Sequence, residues 1–160
     1  MEEDMARRIV VGVDGSAASR SALRWATAEA AIHGGKVNAI TVHTGDYLLP
    51  GTSFTFQPHG RVPVSGENEL RRYLHGLVEQ ERLGDVVVVE TVIEGDAATE
   101  LVKAVRGGDL LVVGSHGQSR LAEVLLGSVA ADCVRHSPCP VVVIPAELAG
   151  QPAQRGEDVS

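Results

Sequence analysis

At 160 residues with 44% apolar content, the chain is long enough for one domain with a substantial core and too short for two. Its formal charge of -7 leaves no basic stripe to neutralise a run of phosphates, which argues against nucleic acid as a main partner. No stretch approaches the ~20 apolar residues of a membrane helix, and Met1-Glu2-Glu3-Asp4 has the wrong charge for a signal peptide, so no membrane association and a cytoplasmic location are expected.

Aromatics contribute only 3%, and the apolar content is mostly Val, Ala and Leu, which suits buried parallel strands covered by alanine-rich helices. In chain order, 8–13 reads as a short apolar strand. The stretch 16–33 carries Ala22, Ala26 and Ala30 at i+4 spacing on one helical face, with Ser16 as a candidate cap and Gly34-Gly35 as its stop. A second strand alternates over 36–43 around Val37, Ala39, Ile40 and Val42. The segment 44–64 is polar, aperiodic and Gly/Pro-bearing, so a long loop is expected there. A helix over 65–83, a valine-rich strand over 85–93 and a helix over 96–106 capped by Asp96 or its neighbour follow. The spacing then predicts a strand over 109–113, a helix opening at Gly127-Ser128 and running to His136, a Ser137-Pro138-Cys139-Pro140 turn, and a last strand over 141–144 closed by Pro145. Strands alternating with helices predict parallel βαβ units in a doubly wound α/β domain over 8–145, with flexible ends at 1–7 and 146–160. Cys133 and Cys139 are expected to be free, buried thiols.

Two loops carry chemistry. The first, Val10-Val11-Gly12-Val13-Asp14-Gly15-Ser16, is a strand running into a tight turn and a helix. It is not a dinucleotide fingerprint, because an acid stands between its two glycines. Asp14 would repel a pyrophosphate there, while its acceptor oxygens suit ribose hydroxyls or an exocyclic amine; the alternative is a turn or capping role. The second runs Val112-Val113-Gly114-Ser115-His116-Gly117 and, after nine residues, Gly127-Ser128. Glycines after a buried strand let backbone N–H groups approach phosphate oxygens, and Ser128 adds a hydroxyl at the favourable end of a helix. No Gly-Lys-Ser/Thr follows a strand, so neither loop is a P-loop, and phosphate binding would rest on backbone amides, Ser128, Arg120 and a divalent ion. The two loops meet at the switch point if the first and fourth strands are neighbours.

The chain resembles the universal stress protein family, whose Gly-x2-Gly-x9-Gly-Ser/Thr motif is matched by Gly114, Gly117, Gly127 and Ser128. The apolar run Ile9 to Val13, the following Asp14 and the closing Ser-Pro-Cys-Pro-Val-Val-Val-Ile segment extend the resemblance over about 8–145. It implies a five-stranded parallel sheet in the order 3-2-1-4-5. It also implies ATP as cofactor, with Mg, the adenine near Val13, Asp14 and Val42, and the phosphates at Gly114, Gly117, Gly127, Ser128 and Val129. A homodimer through antiparallel pairing of Val141, Val142, Val143 and Ile144 is implied as well, and Val142→Pro is expected to break it.

The leading function is an ATP-binding regulatory or stress-response protein acting on a regulatory protein partner. The alternatives are a slow ATPase or nucleotide hydrolase and a dimeric interaction module without nucleotide. No catalytic residue is assigned, and hydrolysis is expected far below the ~1 to 10³ per second of typical enzymes. The six histidines, His33, His43, His59, His75, His116 and His136, lack metal-ligand spacing, so no metal site in the protein is expected. His116 lies inside the glycine loop, within reach of a phosphate or an attacking water. Trp25 reads as packing and Arg71-Arg72 as a solvated helix face.

Overall fold

The computed structural model describes residues 6–44, 66–116 and 126–146. Outside them lie residues 45–64 of the expected loop, the expected helix start at Ser65, Gly117 and Arg120 of the second loop, and nearly all of the two expected flexible ends. The strands β1 (Arg8–Gly12), β2 (Lys36–His43), β3 (Val88–Glu94), β4 (Leu110–Gly114) and β5 (Val141–Ile144) form one parallel sheet in the order β3-β2-β1-β4-β5. The helices are α1 (Ala17–His33), α2 (Gly66–Glu81), α3 (Ala97–Ala104) and α4 (Ser128–His136). The doubly wound α/β fold and the expected strand order are both present.

Strand alternation splits the core into two layers. On one face Ile9, Val11, Val37, Ala39, Leu110 and Val112 meet Ala22, Ala26 and Ala30 of α1 and Leu74, Leu77 and Val78 of α2, with Trp25 packed at the edge. On the other face Val10, Ile40, Leu111 and Val113 meet Ala98 and Leu101 of α3 and Ala130 and Cys133 of α4. The alanines let α1 approach the sheet closely, whereas each buried leucine or valine of α2 contributes about 1.5–3 kcal/mol of burial. At the start of α1, Ser16 Oγ accepts the Ser19 N–H at 3.1 Å, and Gly34 ends the helix at φ 77°.

Several boundaries differ from the sequence reading, among them the end of β1 at Gly12 rather than 13 and of α2 at Glu81 rather than 83. The valine run was expected to pair from residue 85, but β3 begins at Val88. Before it, the Val87 carbonyl accepts the Val37 N–H at 3.3 Å while the Val87 side chain stays exposed. The helix expected to run to 106 stops at Ala104, since Val105 is extended and buried. Asp109 then closes a turn by accepting the Arg106 N–H at 2.8 Å. The fourth strand, expected over 109–113, is displaced by one residue and runs Leu110–Gly114. Among the described residues no helix is long and apolar enough to cross a membrane.

Both cysteines are free and buried, as expected. Burial, then the nearby Asp132 and Asp96 carboxylates, push the Cys133 thiol from its ordinary 9.0 to about 11. The folded value lies above the unfolded one, so this contribution to stability is complete below pH 9 and is lost as pH rises toward 11. In urea melts across that window, Cys133→Ala is expected to lose about 2 kcal/mol less than the parent protein. Parallel pH dependence of the two proteins would show that the thiol stays protonated in the unfolded chain or ionises freely in the folded one.

Candidate functional site

β1 and β4 are neighbours, and the chain leaves them in opposite lateral directions, toward β2 and toward β5. Their carboxyl ends therefore bound the crevice where a doubly wound sheet binds ligands.

After β1, the turn Val13-Asp14-Gly15-Ser16 is closed by its own side chains. Asp14 Oδ1 accepts the Ser16 N–H at 2.9 Å, Ser19 Oγ accepts the Asp14 N–H at 3.2 Å, and that hydroxyl donates to the Ser16 carbonyl at 3.1 Å. Gly15 lies at φ 86°, where a side chain is strained. Asp14 thus has the turn role considered as its alternative, through one oxygen, and it also lines the crevice.

After β4, Ser115 is a junction: its N–H donates to the Ile144 carbonyl at 2.9 Å and its carbonyl accepts the Gly127 N–H at 2.6 Å. The second bond sets the start of α4 beside the end of β4. Gly127 caps α4 without a side-chain bond, so the N–H groups of its first turn, at Ser128, Val129 and Ala130, have no intrahelical acceptor. The two loops are tied together where Ser16 Oγ donates to the His116 carbonyl at 3.4 Å. Ser115 Oγ and His116 Nδ1 are 3.1 Å apart.

The crevice is lined by Gly12, Val13, Asp14, Ser19, Ile40, Val42, Ala97, Leu101, Val113, Gly114, His116 and Val129, and encloses about 80 Å³. That is room for part of a ring, so a larger ligand must extend over the rim. Of the expected residues, Val13, Asp14, Val42, Gly114 and Val129 come together here, while Gly127 and Ser128 stand at the adjoining helix start. Sequence reading missed Ser19, Ile40, Ala97, Leu101 and the junction at Ser115. Ala97 and Leu101 are recoverable in principle, since their i, i+4 spacing follows a capped helix after a strand. A larger depression of about 320 Å³ lies at the opposite end of the sheet, beside Arg7, Glu29, His33 and Leu110, away from both loops.

Strand parity adds a backbone element. Val13 N–H donates to the Ile40 carbonyl at 2.9 Å on the β1 side of β2, whereas the His43 carbonyl accepts Gly95 N–H on the β3 side. Val42 shares the parity of Ile40, so its N–H and C=O point toward β1, beyond the last register pair Gly12↔Ile40. Next to it, burial lowers the His43 pKa against the opposing pull of Glu94 and Glu67, which keeps this imidazole neutral near pH 7.

These features define a doubly wound α/β domain with a glycine-loop crevice at its switch point. The universal stress protein family model matches residues 5–145. The chain belongs to the universal stress protein family. It is 33% identical over 147 residues to universal stress protein Rv2623 of Mycobacterium tuberculosis, which covers 85% of this chain and 46% of that protein. It is 36% identical over 139 residues to Rv2005c of the same organism, covering 84% and 44%. The chain thus spans about half the length of the curated relatives it matches. Among solved structures, the fold matches protein MJ0577 with TM-score 0.69 and 23% identity over 88% of this chain and 96% of that one. A universal stress protein in complex with cAMP matches with TM-score 0.59 and 27% identity over 88% and 98%.

Gly114 has a packing reason to be glycine. A Cβ there would lie 2.7–2.8 Å from the Ala18 side chain and from backbone atoms of Ala18 and Ser19 in α1. Gly114→Ala is expected to cost about 1–3 kcal/mol by pushing α1 off the sheet. Gly76→Ala, with open space around it in α2, should gain about 0.5–1 kcal/mol. Urea titration of both variants checks the pair, and a neutral Gly114→Ala would mean that α1 yields at this point.

Proposed function

We propose that this protein is an ATP-binding, homodimeric universal stress protein whose nucleotide state regulates a protein partner. The observation that carries the reading is the joining of the two loops: Ser16 Oγ to the His116 carbonyl, and the Gly127 N–H to the Ser115 carbonyl, which bring Asp14 and the open first turn of α4 to one crevice. A carboxylate and a helix amino-terminus in one small site suit a ligand that is polyhydroxylated at one end and anionic at the other. Ribose hydroxyls would meet Asp14, and phosphates would meet the N–H groups at Ser128 and Val129, with Gly117 and Arg120 on the intervening loop. An adenine edge offers one donor and one acceptor, which the C=O and N–H of Val42 complement, between the apolar walls of Val13, Ile40 and Leu101. The 27%-identical relative in complex with cAMP supports an adenine nucleotide as the ligand class.

Among the described residues Asp14 is the one carboxylate lining the crevice, and no three His, Cys, Asp or Glu side chains gather into a cage. That donor set fits Mg held mainly by phosphate oxygens and water. Purified protein that is denatured and analysed by mass spectrometry should release ATP. By isothermal titration, Asp14→Ala should weaken adenosine and ATP alike by about tenfold, and Ser128→Ala should weaken ATP more than adenosine. Equal losses for both ligands in both variants would contradict this division of the site.

The dimer reading rests on β5, which pairs with β4 on one side and forms one edge of the sheet. Register refines its test. Leu111 N–H donates to the Pro140 carbonyl and Ser115 N–H to the Ile144 carbonyl, so residues 140, 142 and 144 turn their backbone groups toward β4. Val142→Pro would therefore break the sheet itself, whereas Val141 and Val143 present N–H and C=O at the open edge. Val143→Pro removes an outward donor that only a partner strand would use, a substitution an edge strand tolerates. In sedimentation this variant is expected as a folded monomer, and a stable Val143→Pro dimer would move the interface elsewhere.

A further inference from the structure

We propose that Tyr73 is a positioning residue for the Asp14 turn, holding Gly15 in the one conformation that presents the Asp14 carboxylate to the crevice. The inference rests on the reading of Asp14 as a ligand group. Tyr73 lies on α2, 58 residues from the turn, and is half-buried against the core layer that α1 and α2 share. A Cβ built on Gly15 would fall 2.7 Å from the Tyr73 hydroxyl oxygen and 3.1 Å from its Cε2, so the end of the phenol fills the space above that glycine.

The need for such a contact follows from the turn's chemistry. Gly15 sits at φ 86°, and glycine populates positive and negative φ about equally, so the residue most able to flip stands directly after Asp14. The bond from Ser16 N–H to Asp14 Oδ1 spans that glycine, and rotation about its dihedrals would aim the carboxylate elsewhere. Steric contact from the end of the Tyr73 ring narrows the wells open to Gly15.

The buttress is itself anchored. Leu70, Leu74, Leu77 and Val78 are buried along α2. At the far end of that helix, Glu81 accepts from Arg24 at 2.6 and 3.0 Å and from Arg20 at 3.3 Å, both on α1. The helix is thus tied to α1 about two turns beyond the point where its tyrosine meets the turn that begins α1.

The test compares Tyr73→Ala, Tyr73→Phe, Asp14→Ala and the Tyr73→Ala/Asp14→Ala double variant, with Val78→Ala as a purely structural control on the same helix. In the ligand-free protein, amide hydrogen exchange at Ser16 should rise at least about tenfold in Tyr73→Ala and stay unchanged in Val78→Ala. By titration, Tyr73→Ala should weaken adenosine and ATP by about five- to tenfold. Added to Asp14→Ala, it should change affinity by less than about twofold, because it acts through the carboxylate already removed. Tyr73→Phe keeps the ring edge and should stay near the parent. Unchanged Ser16 exchange in Tyr73→Ala, or a full additive loss in the double variant, would overturn the proposal. Raised Ser16 exchange with no effect of Asp14→Ala on affinity would uphold the buttress and sink the ligand role of Asp14 instead.

Discussion

The parallel pairing of β1 with β4, registered at Ile9↔Leu110, Val10↔Leu111 and Val11↔Val112, is the constraint on which the candidate site depends. It aligns the carboxyl ends of two strands that are about 100 residues apart in sequence, and each end then turns into a glycine-bearing loop. Because neighbouring strands lie only ~4.8 Å apart, the two loops must interact with each other or diverge. Here they interact, through Ser16 Oγ and the His116 carbonyl. The pairing is secured from both faces, by Val11 and Val112 packed under α1 and by Val10 and Leu111 under α3 and α4, all of them fully buried. At the opposite end of the same pair, Arg8 donates to Asp109 at 2.6 Å and to the Ala104 carbonyl at 2.9 Å, which fixes the register where the strands begin.

Sequence carried the fold well because its signals were periodic or punctuated. The i+4 alanines of α1, the Ser16 and Asp96 caps and the Gly34 stop all stand where their chemistry predicts. The valine run around β3 misled by three residues, since a run of identical apolar residues has no phase to mark where pairing starts. The site was legible in its glycines and in Asp14, whose types are unusual after a buried strand. Less legible was why each glycine is there. Gly114 looked like a residue kept small for a ligand, yet α1 backbone occupies the space a side chain would need. Contacts such as Tyr73 on Gly15 depend on how far one helix is shifted along another, which no local pattern encodes.

Electrostatics sharpen the division of labour within the crevice. A protein of charge -7 that binds an anion must do so through local rather than net potential. The nearby arginines of α1, Arg20 and Arg24, are committed to Glu81 on the far side of that helix. What remains at the start of α4 is a set of first-turn N–H groups and the helix dipole, a short-range field that ends within about one turn. Asp14 lies on the other loop, where its Oδ1 accepts the Ser16 N–H and its acceptor character suits hydroxyls. Charge and dipole of opposite preference on two tied loops would suit the two ends of the proposed ligand.

Ser115 joins the start of α4 to the edge of the sheet. Its carbonyl holds the Gly127 N–H at the head of α4, and its N–H holds the carbonyl of Ile144, the last residue of β5. One residue therefore touches the end of β4, the head of α4 and the last residue of the edge strand β5. Ser115 is buried, with little freedom to shift. In a four-residue edge strand bracketed by Pro140 and Pro145, a small change at one end alters the alignment of half the available pairing groups. The start of α4 and the carboxyl end of β5 are in this way joined by two hydrogen bonds of 2.6 and 2.9 Å on a single residue.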